Sequence, residues 1–283
     1  MRIALLTTAR AWRGSGTSFT HIAQGLAARG HVLQLLSAAP AVTAELAARG
    51  LRARELPIRH SGFREARALA RAPFMGRPAR RVIYEGVNLE RFRPDPAAGR
   101  AFRDRQGLGD GPSVLAVGAL EREKRYGWLL TALARLPEPR PRLVVCGDGS
   151  LAGALRAQAE RERLEVRLLG QVTPRELAAA YNAATCVVHG CDVETFGIAV
   201  AEAMACARPV VAVAGGGIPE VLGGTGVLAP ADDPAAFARA LAELLSDPQR
   251  RDALGAAARG RALARFSLER MGREYGEALE AIA

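Results

Sequence analysis

Lys124, Glu194 and Glu202 have the types and spacing to hold a phosphorylated, hydroxyl-rich ligand. Glu194 closes the run Asp192-Val193-Glu194, Gly197 follows it, and an apolar helical stretch opens at Ile198, with Glu202 eight residues after Glu194. A helix start beside a glycine offers backbone N–H groups and the positive end of the helix dipole, which suits a phosphate. A carboxylate in the preceding turn can accept hydrogen bonds from sugar hydroxyls, and one inside the helix can accept two from a ribose diol. Lys124 would set a compact ammonium against a diphosphate. It is the only lysine among 39 basic residues, and the planar fork of arginine is not equivalent to it.

Each residue also has a plainer reading. Glu194 alone could simply complement the helix dipole. Glu202 lies among Ile198, Ala199, Val200, Ala201, Ala203 and Met204, where a carboxylate is costly unless paired or ligand-bound. The two glutamates together at one strand-to-helix junction therefore favour a binding site. Gly215-Gly216-Gly217 adds little alone, because such turns use glycine in any case. Asp192 with Glu194 is read as part of a turn, and no metal site is expected.

Apolar β-type runs alternating with helical patterns must position these residues. In the first third, strands are expected at Ile3–Thr8, Val32–Ser37 and Leu51–Ile58, with helices from about Ser18 to Arg29 and near Thr43–Arg49. A basic helix is expected over Gly62–Ala72 and a strand at Val82–Tyr84, and Phe92–Pro96 reads as a linker. Beyond it, strands are expected at Val114–Val117, Leu143–Cys146, Val166–Leu169, Cys186–His189 and Val210–Val213. Thr173-Pro174, Asp233-Pro234 and Asp247-Pro248 announce helices. This alternation predicts an α/β fold of two Rossmann-like parallel-sheet domains. Ligands of such sheets collect at the carboxyl ends of the strands, where Gly118–Lys124, Gly147–Ser150, Asp192–Gly197 and Gly215–Glu220 all fall.

Composition is that of an ordinary globular protein, 49% hydrophobic and 24% charged in 283 residues. The opening apolar run is too short for a signal segment and reads as a buried strand. Cys146, Cys186, Cys191 and Cys206 lack zinc-ligand spacing and are expected to be reduced core residues, consistent with a cytoplasmic location. The net charge of +10 is uneven: residues 1–94 hold 16 arginines and 5 glutamates, or +11, leaving −1 for the rest. Aromatics are only 5% and are not interleaved with basic clusters, which argues against nucleic acid. The basic third is either a solvated surface or a face for an anionic partner, such as a membrane or a phosphorylated acceptor.

The run Glu194-Thr-Phe-Gly-Ile-Ala-Val-Ala-Glu202-Ala-Met resembles the E-x7-E signature of retaining GT-B glycosyltransferases of family 4. Val117-Gly-Ala-Leu-Glu-Arg-Glu-Lys124 resembles the phosphate loop of that family. Gly216-Gly-Ile-Pro-Glu220, Leu228–Pro234, Arg265-Phe-Ser267 and Val82–Pro94 match it as well. The resemblance implies a GT-B-like fold with a shortened N-terminal acceptor-side domain (1–94), a donor domain (95–265) and a last helix (266–283) packing back towards the first. It implies sugar transfer with retention from a nucleoside-diphosphate-sugar donor, with no cofactor and no essential metal.

Carried onto this chain, Lys124 binds the diphosphate, Glu194 the sugar and Glu202 the ribose. Lys124 and Glu194 are the candidate catalytic residues. Gly118, the backbone at Phe196, Gly197 and Ile198, and Gly16 complete the expected donor site. Where the family has an arginine this chain has Ala119, leaving Arg122 or Arg125 to substitute. None of His21, His31, His60 and His189 matches the catalytic histidine of the family. The acceptor is expected to be anionic or lipid-linked, with peripheral contact at the inner membrane face through the basic third. Two rivals stand beside transfer: a nucleotide-sugar-binding module with little turnover, and a sugar-nucleotide epimerase of GT-B architecture.

Overall fold

Short valine-rich runs build the main sheet. Cys186–His189 and Val210–Val213 are buried at every position, and Ser113–Val117 and Arg142–Cys146 at all but one. Such unbroken burial marks parallel strands covered on both faces. The computed structural model describes residues 2–7, 14–30, 32–37, 40–48, 51, 53–55 and 82–280. Within these, the chain divides into two compact units, one formed by 1–86 with 267–283 and the other by 87–266.

The second unit contains six parallel strands: β4 (Ser113–Val117), β5 (Arg142–Cys146), β6 (Val166–Leu168), β7 (Cys186–His189), β8 (Val210–Val213) and β9 (Val227–Ala229). Their order is β6-β5-β4-β7-β8-β9, so the sequence direction reverses between β4 and β7. That reversal is the topological switch point at which doubly wound sheets bind ligands. Helices α3 (Pro96–Gln106), α4 (Tyr126–Leu133), α5 (Ala152–Arg161), α6 (Pro174–Ala183), α7 (Ile198–Ala205), α8 (Ile218–Leu222), α9 (Pro234–Ser246) and α10 (Pro248–Arg265) complete the unit. Proline at the first helical position needs no N–H partner and sets φ for the turn. Thr173 forms a reciprocal capping box with Glu176, while Asp95, Asp233 and Asp247 each accept from the backbone three residues on.

The other unit holds a parallel sheet of β1 (Arg2–Thr7), β2 (Val32–Ser37) and β3 (Ala53–Glu55) in that order, with α1 (Gly14–Ala28), α2 (Pro40–Ala48) and α11 (Leu268–Glu280). Helices α1 and α11 cross at glycines, and a Cβ on Gly25 would stand 2.9 Å from the Gly272 Cα.

Four expectations change. Helix α1 begins at Gly14, four residues before the expected start at Ser18, so Gly16 is helical. Val82–Tyr84 joins no sheet among the described residues. Phe92–Pro96 is not a free linker: Phe92 is buried, Asn182 bonds Asp95 N–H and the Arg93 carbonyl, and Arg259 bonds the Phe92 carbonyl. Strand β9 went unforeseen because Val227–Ala229 is three residues long and has no period to detect. The expected basic helix over Gly62–Ala72 lies outside the described residues.

Arginine forks finish many loops here. Arg103 donates to the carbonyls of Gly109, Gly111 and Ala183 and to Ser113 Oγ. Arg251 and Arg261 likewise serve carbonyls near helix ends. A lysine keeps the charge but cannot span these acceptors. Arg103→Lys is expected to lower stability by about 1–3 kcal/mol with an unchanged urea m-value. Urea denaturation at wild-type midpoint would show that the fork contributes nothing.

Candidate functional site

Strand β4 ends at Val117, and a 3-10 turn at Arg122–Lys124 carries the chain to Arg125 and α4. On the other side of the switch point, β7 ends at His189 and the turn 190–197 leads into α7. These two connections meet through a salt bridge between Lys124 Nζ and Glu194 Oε2, both side chains largely buried. The structure thus brings Lys124 and Glu194 together at the reversal in the sheet.

The loop after β8 holds the Glu194 turn in place. Cβ atoms built on Gly215, Gly216 and Gly217 would meet the carbonyl oxygens of Asp192, Glu194 and Thr195 at 2.4, 2.0 and 2.1 Å. Only glycine permits this backbone-on-backbone approach, and Gly217 N–H donates to the Glu194 carbonyl at 2.7 Å. The triple glycine is therefore more informative than its sequence suggested. Gly197, at φ +88°, caps α7 and presents its first turn. There the amides of Ile198 and Ala199 have no acceptor within the helix. Phe196 packs edge-on against Phe266, with ring centroids 5.4 Å apart. Gly118 lies directly after β4, and its carbonyl accepts the Tyr126 hydroxyl at 3.0 Å.

Glu202, on α7, is held by a residue that sequence reasoning missed. Tyr181 Oη lies 2.9 Å from Glu202 Oε2 and 3.0 Å from the Ala199 carbonyl. The single hydroxyl hydrogen cannot serve both acceptors. A protonated Glu202 resolves this, donating to Tyr181 while Tyr181 donates to Ala199. Burial pushes the Glu202 carboxyl up to about 7, against a lowering by Tyr181 and Arg91. No periodic signal marked Tyr181, because its role arises from a direct contact between two helices distant in sequence.

His189 was also missed. It is buried at the end of β7, its Nε2 has no hydrogen-bond partner among the described residues, and it lies 3.8 Å from Glu194 Oε2. Burial lowers it to about 4, opposed by Glu194 and assisted by Lys124, so the ring is neutral at pH 7. His189, Cys191 and Glu194 have ligating atoms within 4.8 Å of one another, but the Lys124 ammonium already occupies Glu194 and disfavours a cation. All four cysteines are buried and free.

Arg125, one candidate replacement for the cation missing at Ala119, is committed elsewhere. It pairs with Asp192, donates to the Ala231 carbonyl at 2.8 Å, and stacks on Trp128 at 5.0 Å. Arg122 stays exposed in the 3-10 turn. Gly16 lies in the other unit, in the first turn of α1.

The elevated Glu202 carboxyl makes stability depend on pH. Between the ordinary carboxylate value and about 7, native Glu202 binds more protons than unfolded Glu202, so its contribution falls as pH rises through that window. His189 acts oppositely, with stability lost as pH falls from its ordinary value towards about 4. The difference between wild type and Glu202→Gln isolates the glutamate. Glu202→Gln is expected to raise Tm at pH 8 by at least about 2 °C and to leave it unchanged near pH 4.5. A lower Tm at pH 8 would rule out a strained carboxylate.

The model of the family "Glycosyl transferases group 1" matches residues 100–261. A GDP-mannose-dependent alpha-(1-6)-phosphatidylinositol monomannoside mannosyltransferase of Mycolicibacterium smegmatis is 35% identical over 207 residues, covering 69% of this chain and 54% of that protein. A D-inositol 3-phosphate glycosyltransferase of Thermobispora bispora is 38% identical over 221 residues, covering 71% and 51%. The chain thus spans about half the length of these curated relatives. Anabaena HepE in complex with UDP-glucose superposes with a TM-score of 0.85 at 19% identity, covering 99% of this chain and 100% of that one. That likeness gives the fold alone, and the fold is GT-B. With the family model spanning more than half its length, the chain belongs to the glycosyl transferases group 1 family.

Proposed function

We propose that the protein transfers a sugar from a nucleoside-diphosphate-sugar donor, with retention of anomeric configuration. The observation that carries this reading is the Lys124–Glu194 pair at the switch point, beside the first turn of α7. A diphosphate would draw Lys124 away from Glu194 and sit on the amides at Phe196–Ile198, with Gly118 giving close backbone access. Glu194, released, would accept hydrogen bonds from sugar hydroxyls, and Glu202 would accept them from the ribose. As the glycosidic bond breaks, charge develops on the leaving diphosphate, where Lys124 and the helix amides would stabilise it. No step requires a metal or a cofactor.

An anionic polyol or lipid-linked acceptor fits the +11 charge of residues 1–94. The two curated relatives support the same class, since one is named for phosphatidylinositol monomannoside and the other for inositol 3-phosphate. The N-terminal unit is proposed to be a shortened acceptor domain, with peripheral contact at the inner membrane face. The chain covers only about half the length of those relatives, and a donor-binding module with little turnover stands as a rival reading.

Thermal unfolding with UDP, GDP, ADP and TDP, each with and without its sugar, tests the donor site. One nucleotide is expected to raise Tm by about 3 °C or more at saturation, and Lys124→Ala is expected to abolish that shift. If no nucleotide stabilises the wild type, the donor reading fails. Incubating the stabilising donor with inositol phosphate or phosphatidylinositol should yield an α-linked product from an α-linked donor. Binding without product would instead favour the module, and conversion of donor without acceptor would favour an epimerase.

A further inference from the structure

We propose that His189 is a positioning residue for Glu194, taking over its carboxylate as a hydrogen-bond donor when a bound diphosphate draws Lys124 away. This rests on the donor-site reading above. Among the described residues Glu194 has one close cation, Lys124. Once that ammonium turns to a diphosphate, a largely buried carboxylate needs another donor, because an unpaired buried charge is costly. His189 Nε2 is the near candidate, 3.8 Å from the same Oε2 atom.

Three features suit His189 to that task. Its Nε2 is buried without a partner among the described residues, so no bond seen there must be broken. A small cavity of about 10 Å³, lined by Lys124, Tyr126, Leu129, His189 and Gly190, adjoins the ring. That is space for a shift of the ring or for one bridging water. The neighbouring Tyr126 hydroxyl is already committed to the Gly118 carbonyl. The ring is also neutral at pH 7. Burial, the largest influence on the ring, still favours its neutral form once Lys124 has moved, and a neutral ring orients Glu194 without cancelling its charge.

The arrangement has a cost that gives it away. A buried imidazole nitrogen without a partner destabilises the ligand-free protein, so removing it should not harm the fold. His189→Leu is expected to unfold at or above the wild-type Tm. A clear drop would mark the histidine as structural and overturn the proposal.

Calorimetric titration of wild type, His189→Leu and His189→Gln with UDP, UDP-glucose, GDP and GDP-mannose supplies the second readout. His189→Leu should bind the preferred bare nucleotide about 10-fold more weakly than wild type, because the diphosphate draws Lys124 away and leaves Glu194 without a donor. The loss should be smaller for the nucleotide sugar, whose hydroxyls donate to the same carboxylate. His189→Gln, whose amide nitrogen reaches a similar position, should recover most of the lost affinity. Unchanged affinity of His189→Leu for the bare nucleotide, or equal impairment of both variants, would overturn the proposal. Failure of the wild type to bind any of the four ligands would instead remove the donor reading on which it stands.

Discussion

The organising constraint is the meeting of Lys124 and Glu194, two largely buried charges of opposite sign from connections that leave neighbouring strands. Burying such a pair gains little net stability, because desolvation offsets most of the attraction. Its consequence is geometric. The 3-10 turn must bring the ammonium in, and the glycine loop after β8 must press on the Glu194 turn closely enough to hold the carboxylate out to it. The Arg125–Asp192 bridge ties the same two connections a second time. The pair thus keeps the pocket assembled with its charges mutually satisfied, and any anionic ligand entering must exchange partners with it.

Several residues around this pair sit in positions that stability alone would not choose. His189 keeps an orphaned nitrogen, and Glu202 competes with Ala199 for one hydroxyl hydrogen. Both lie at carboxyl ends of strands or on the helix following one, on the same side of the sheet as the pair. Elsewhere the unit has buried valine strands and four helix starts capped by a side chain.

Much of this was legible in the sequence, for local reasons. Proline after Thr173, Asp95, Asp233 or Asp247 announces a helix start because capping chemistry lies within four residues. Apolar runs announce β4, β5, β7 and β8 because both faces are covered. Lys124, Glu194 and Glu202 could be grouped because each follows a predicted strand. What was not legible is tertiary. Tyr181 reaches Glu202 across a helix pair, Gly215–Gly217 are required by a carbonyl row more than twenty positions upstream, and His189 gains meaning only from its distance to Glu194. Arg125 looked like a spare cation in sequence and is a structural strut, a distinction that partners alone decide.

The separation of duties between arginine and lysine has a practical side. Guanidinium groups close the loops, and the 283 residues contain one ε-amino group, at Lys124. Reductive methylation, acylation or a lysine-directed fluorophore therefore has a single side-chain target, in the pocket and paired with Glu194. Protection of that amine reports occupancy of the pocket directly. A lysine-specific endoprotease likewise has one cleavage point, between β4 and α4, so intact mass after digestion measures how often that turn opens. The reactivity of that one pocket can thus be followed through a single side-chain amine.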